Sequence, residues 1–200
     1  GRGAAQTLKD MKSRTFHSGR RGQAFTMVEV LVAVSIIALL LGISVPAYSR
    51  MKGLARSSHC VSNLRQIGIS LNTYLAEHGL KLPVMVPLRE DINELTDLDG
   101  DGETDAIDVT LRPYVNDVIS FWCPADAEKI HEKTGTSYFW NSALNGQDIS
   151  AINFLGLSKN AAGIPVVADK ENFHKNVGDE VNVLYVDGHV TRELTFIVDP

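Results

Sequence analysis

From Val30 to Tyr48 the chain runs for 19 residues without a charge. At about 1.5 Å per residue, a helix of that length spans roughly 28 Å, close to the hydrocarbon thickness of a bilayer. Few folds accommodate such a run, which reads as a membrane-spanning helix or the apolar core of an export signal. Charge on either side sets the direction. Residues 1–24 hold Arg2, Lys9, Lys12, Arg14, Arg20 and Arg21 against Asp10 alone, a net of +5. With −5 for the whole chain, residues 25–200 carry −10. The basic flank keeps the N-terminus cytoplasmic and sends the rest across the membrane. A basic leader before an acidic body argues against nucleic acid as a partner.

Glu29 separates the two readings of the apolar run. A carboxylate in hydrocarbon is costly unless it finds a partner, so its presence points to function. A simple export signal, cut at the small residues around Ala47, has no use for it, whereas a helix that packs beside copies of itself does. The helical pattern also continues past the membrane. Beyond Pro46, apolar or small residues recur at Met51, Leu54, Ser58, Val61, Leu64, Gly68, Leu71 and Leu75, at gaps of three or four. Arg50, Lys52, Arg56 and Arg65 fall on other faces. One helix is therefore expected from about Phe25 to His78, bent at Pro46 and closed by Gly79. Residues 25–48 form its transmembrane half and 49–79 its amphipathic half.

After Pro83 the pattern changes to short strands and turns. Val84–Val86, Val118–Trp122, Tyr138–Trp140 and Ile164–Val167 are candidate strands. Val181–Val186 and His189–Leu194 read as a hairpin around a two-residue Asp187-Gly188 turn. The fold class is α+β: a long N-terminal helix packed on a small antiparallel sheet, with residues 80–200 as the head. Cys60 and Cys123 are not a metal or redox pair by spacing. In an exported head they can form a disulfide, with two buried thiols as the alternative.

The stretch Ala24-Phe25-Thr26-Met27-Val28-Glu29, the apolar run and Pro46 together resemble the cleavage and methylation signal of type IV pilins and type II secretion pseudopilins. Cys60–Gly68, Phe121–Asp126, Ser137-Tyr138 with Asn141, and His174 ahead of Asn182–His189 look like pseudopilin-like proteins of planctomycetes and verrucomicrobia. Those carry a His, a spacer and an Asp-Gly turn. Here the spacer, residues 175–186, is 12 long, longer than is usual in them. The resemblance implies removal of leader 1–24 by a prepilin peptidase, with methylation of the new N-terminus at Phe25. The family carries Gly before the cut, where this chain has Ala24. It further implies a pilin-like fold and a structural role. The partners it implies are copies of the chain, other pilin-like subunits, membrane lipid and the inner-membrane secretion or pilus assembly machinery. The location implied is the inner membrane with a periplasmic head, then a pilus or pseudopilus.

Cleavage before Phe25 would create an α-amine able to meet Glu29 of a neighbouring helix. Two buried charges that are costly alone become tolerable as a pair, and the pair fixes axial register. The alternative is that Glu29 reaches the headgroups by itself.

A second informative stretch is the acidic loop 97–108. Asp97, Asp99, Asp101, Asp105 and Asp108 stand at loop positions 1, 3, 5, 9 and 12, with Gly102 at position 6 and the Glu103 carbonyl at position 7. That oxygen-rich pattern is the one Ca²⁺ prefers, and an Asp at the last position resembles a dockerin-type loop more than an EF-hand. A solvated acidic turn is the simpler alternative, but five Asp side chains repel one another without a cation.

His174, His189 and Asp187 invite a catalytic or zinc reading. Asp187-Gly188 is accounted for as a turn, and no Ser, Cys or third ligand stands at a supporting spacing, so no enzymatic role is expected. Two function classes follow. One is a structural subunit of a type II secretion pseudopilus or type IV pilus. The other is a secreted or anchored calcium-dependent binding module released by a cut near Ala47.

Overall fold

The computed structural model describes residues 26–94, 96–98, 100–101, 105–156, 159–174 and 181–195. Ala24, Phe25, Asp99 and Glu103 lie outside the described residues. The chain divides into two compact units at Ile43/Ser44.

Helix α1 spans Met27–Glu77 and includes Pro46. It is long and apolar enough to cross a membrane. In the first unit every described residue is exposed, the surface expected of a segment whose solvent is lipid or a neighbouring helix. Pro46 has no N–H to donate to the carbonyl of Gly42, yet the helix continues through it. The end of α1 is closed by a bond from Leu80 N–H to the Leu75 carbonyl at 2.8 Å. Gly79 there takes a φ of +63°, which costs a glycine little.

In the second unit the buried face of α1 comprises Ser57, Cys60, Val61, Asn63, Leu64, Ile67, Gly68, Ser70, Leu71 and Leu75. The expected stripe holds from Val61 onward. Met51, Leu54 and Ser58 are instead exposed, because the packing face begins one residue earlier, at Ser57, and the helix before it has no sheet beside it. The sheet is antiparallel with order β1 (Tyr138–Trp140), β2 (Pro165–Asp169), β3 (Val183–Tyr185), β4 (Val190–Thr191). Tyr138 pairs with Asp169, Ala168 with Val183, and Leu184 with Val190. Gly68 lets α1 approach β3 closely, since a Cβ there would stand 3.0 Å from Leu184 Cδ1. The core joins Leu64, Ile67 and Leu71 to Phe121, Tyr138, Trp140, Val167 and Leu184. A long N-terminal helix on a small antiparallel sheet is a pilin-like α+β arrangement.

Two expected strands are absent for local reasons. Val84–Val86 sits between Pro83 and Pro87, which lack ladder donors. Both backbone groups of Met85 bond to the side chain of Asn145, and Val86 N–H bonds to the Asp105 carbonyl. Val118–Phe121 is a 3₁₀ turn whose first N–H groups are satisfied by Asp117, its side chain accepting from Ile119 at 3.0 Å. The hairpin turn also differs. Tyr185 and His189 close a three-residue loop, Val186–Gly188, with a bond from Gly188 N–H to the Tyr185 carbonyl. Gly188 alone of that loop has positive φ, +88°, the pattern of a type I turn followed by a bulge.

Candidate functional site

The first turn of α1 is built by a reciprocal pair. Thr26 donates its N–H and its hydroxyl to Glu29 Oε2, each at 2.9 Å, and Glu29 N–H donates to Thr26 Oγ1 at 3.2 Å. This is a capping box, in which each side chain satisfies an N–H that the helix cannot. Glu29 therefore has a structural use within one chain, beside the intermolecular use expected of it. From Val30 to Tyr48 the helix presents apolar side chains all round, all exposed. Ser35 and Ser49 turn their hydroxyls back onto the carbonyls of Leu31 and Val45, so their polarity is spent within the helix.

In the head, Cys60 and Cys123 form a disulfide with Cα atoms 5.1 Å apart. It ties the buried face of α1 to the segment after the 3₁₀ turn 118–121. That segment is fixed by Asp126, whose carboxylate accepts from Ile130 N–H, His131 N–H, His131 Nδ1 and Ser137 Oγ at 2.9–3.1 Å. Ser137 Oγ in turn accepts from Cys123 N–H at 3.1 Å. Burial alone would raise the Asp126 carboxyl, but the bonds from His131, Ile130 and Ser137 outweigh it and hold the group below the usual carboxylate range. Thus Phe121–Asp126 and Ser137-Tyr138, distant in sequence, are one hydrogen-bonded unit. The helix it starts is α3 (Ile130–Thr134).

The acidic loop is described in part. Asp97 Oδ1 accepts from Gly100 N–H at 2.6 Å, and Asp105 Oδ2 from Leu98 N–H at 2.5 Å. Asp101 is exposed, whereas Asp105 is buried. Asp108 lies in the first turn of the short helix α2 (Ile107–Thr110), and its Oδ2 is paired with Arg89 Nη2 at 2.7 Å. Its Oδ1 is buried with no hydrogen-bond partner among the described residues. Burial raises the Asp108 carboxyl against the pull of Arg89.

His174 and His189 are in different settings. His189 is exposed, stacks on the Tyr185 ring at 4.4 Å and bonds to Asp187. His174 is buried, with Nε2 3.3 Å from Asp169 Oδ2 and 3.7 Å from Cys123 Sγ. Asn182 donates its N–H and its Nδ2 to the same Asp169 oxygen, at 2.9 and 2.8 Å. Sequence spacing missed this group, because residues 60, 123, 169, 174 and 182 come together only when β2, β3 and α1 pack. Its one sequence signal was three polar residues, Asp169, His174 and Asn182, at the ends of apolar strand patterns.

An open cleft of about 490 Å³ lies over α3 and the end of β2. Arg89, Lys133 and Lys170 line it together with Glu128, Glu171 and Phe139. Lys170 Nζ donates to Thr134 Oγ1 and to the Thr136 carbonyl at 2.6 and 2.8 Å. Its pKa is lowered to about 8, by burial first and also by Arg89, against the opposing pull of Asp108 and Asp126.

No curated protein and no solved structure matches the chain. Residues 19–45 match a family model described as the prokaryotic N-terminal methylation motif. That span contains Ala24, Phe25 and Glu29 and ends just before Pro46, so the N-terminal segment carries the methylation motif.

Proposed function

We propose that this chain is a filament subunit. Prepilin peptidase cuts it between Ala24 and Phe25 and methylates Phe25. It then sits in the inner membrane with its head in the periplasm, and assembles through α1 into a type II secretion pseudopilus or a type IV pilus. Its partners are copies of itself and other pilin-like subunits, brought together by the membrane assembly machinery. The role is structural rather than catalytic. One observation carries this reading: α1 is apolar all round and exposed from Val30 to Tyr48, with a carboxylate in its first turn. A helix with that surface is stable only in lipid or among other apolar helices. The motif match at residues 19–45 supports processing before Phe25 and weighs against release by a cut near Ala47. The head motifs suggest the planctomycete and verrucomicrobial type of pseudopilin-like protein. The test is mass spectrometry of the mature chain expressed with its peptidase. An N-methylated Phe25 terminus supports the reading, and a mature chain beginning at Tyr48 overturns it.

We also propose that loop 97–108 takes Ca²⁺ through Asp97, Asp99, Asp101, Asp105 and the Glu103 carbonyl. The orphaned Asp108 Oδ1 is a buried oxygen at the loop position where a last ligand is needed. Bound calcium would order the loop, and a melting temperature unmoved by calcium would count against the site.

A further inference from the structure

Sulfur and nitrogen donors meet in one buried place, with the Asp169 carboxylate next to the nitrogen. Cys60 Sγ, Cys123 Sγ and a ring nitrogen of His174 all lie within 4.8 Å of one another, and all three residues are buried. Among the described residues this is the one such cluster of three or more metal-binding side chains. His174 Nε2 is 3.7 Å from Cys123 Sγ and 3.3 Å from Asp169 Oδ2. Around a tetrahedral Zn²⁺ with bonds of about 2.3 Å to sulfur and about 2.0 Å to nitrogen and oxygen, neighbouring S and N ligands stand about 3.6 Å apart, and neighbouring N and O ligands about 3.3 Å. The folded head holds these two separations, and the two sulfurs, bonded to each other in the disulfide, part on reduction. A second observation points the same way. Among the described residues, Asp169 Oδ1, the Tyr138 hydroxyl and Asn182 Oδ1 are buried without hydrogen-bond partners. An unmet carboxylate oxygen in a dry core is costly, and a cation is one of the few things that meets it.

We propose that Cys60, Cys123, His174 and Asp169 form a zinc site when the disulfide is reduced. The head would then have two alternative closures between the same elements, a disulfide and a Zn²⁺ bridge. The chemistry balances with a dithiol as reductant. The dithiol is oxidised to its own disulfide while the protein gains two thiols. Each thiol loses its proton to solvent as its sulfur binds, so one Zn²⁺ replaces two protons. His174 binds through unprotonated Nε2, which moves its ring proton to Nδ1. Two thiolates neutralise the ion, and Asp169 completes four ligands. The site thus gives a reduced head, before its cysteines are oxidised, a cross-link between α1 and the Cys123 segment.

The experiment uses the full chain in detergent, equilibrated with a dithiol/disulfide buffer with and without Zn²⁺. Co²⁺ serves as the spectroscopic probe. Zinc is expected to shift the equilibrium towards the reduced protein, at one ion per chain. Cobalt should give a thiolate charge-transfer band with tetrahedral d–d bands. His174→Ala should weaken metal binding by about 100-fold, and Asp169→Asn by about 10-fold, without the oxidised chain losing its fold. The proposal is overturned if zinc leaves the thiol–disulfide equilibrium unmoved. It is equally overturned if His174→Ala binds metal as tightly as the parent chain, the result expected of two thiols in an unfolded head.

Discussion

Arg89 Nη2 reaches Asp108 Oδ2 at 2.7 Å, and the α-carbon of Gly135 faces that pair so closely that a Cβ on it would collide with both atoms. Gly135 also has a φ of +84° as the C-cap of α3. It is therefore required twice, once for its backbone angle and once for its lack of a side chain. Gly135→Ala should destabilise the head by about 3 kcal/mol, combining left-handed strain with overpacking. Gly135→Asn relieves only the first, since Asn tolerates positive φ but still carries a Cβ. Equilibrium urea unfolding should show both variants clearly less stable than the parent. An Asn variant as stable as the parent would mean that the Arg89–Asp108 pair does not press on this glycine.

The Asp126 hub gives the head a buried source of acid sensitivity. Its carboxyl is held below the usual range in the fold, and the unfolded chain has no such bonds. The contribution is therefore fully present above the ordinary Asp value of about 3.9 and is lost as pH falls through the lower, folded value. Asp126→Asn keeps one acceptor oxygen, enough for Ile130 N–H or for the His131 and Ser137 donors but not for both sets, and loses the charge. Thermal melts from pH 6 down to pH 2 should converge for parent and variant at the acid end, with the parent ahead near neutrality. Parallel curves across that range would show that the hub carries no linked proton.

Much of this architecture is legible in the sequence because its strongest signals are local. The uncharged run, Glu29 in its first turn, the stripe from Val61 to Leu75 and the strands at Tyr138 and Pro165 all declare themselves within a dozen residues. What was not legible depends on partners far away in the chain. Val84–Val86 has strand composition, but Asn145, some 60 residues later, takes its hydrogen bonds. Val118–Phe121 looks extended until Asp117 is seen to cap it. His174 reads as an isolated histidine, because Cys60, Cys123 and Asp169 reach it only through tertiary packing. Periodicity reports which face is buried, and polar sites assembled from several elements have no period.

Lys170 gives the alkaline counterpart. Its folded pKa is about 8, against an ordinary value of 10.5, chiefly because the ammonium is partly buried. Below about 8 both states hold the proton, and the fold carries the cost of burying a charge. Between 8 and 10.5 the unfolded chain alone holds it, so this group's contribution to stability improves as pH rises. Lys170→Met removes the linked proton. Urea unfolding at pH 7 and pH 10 should show the parent gaining on the variant at the higher pH. A parent-to-variant difference that does not change with pH would place the ordinary lysine value in the fold.

Glu29 has two separable jobs, and a single pair of variants distinguishes them. Within one chain it accepts the Thr26 N–H and hydroxyl and so starts α1. In the proposed filament its charge meets the Phe25 amine of a neighbour. Glu29→Gln keeps a carbonyl oxygen at the capping position, so the helix start survives at a cost below about 1 kcal/mol. Glu29→Ala loses the cap as well. If the charge sets register, both variants should be processed at Phe25 and inserted in the membrane, yet neither should appear in sheared filaments, because a buried amine left without its carboxylate costs about 3–5 kcal/mol. If only the cap matters, Gln assembles and Ala does not. Electron microscopy of sheared material, with immunoblots of the membrane fraction to confirm processing, reads the two outcomes directly. Filaments formed at parental levels by Glu29→Ala would remove Glu29 from assembly altogether and leave the apolar surface of α1 as the sole driver.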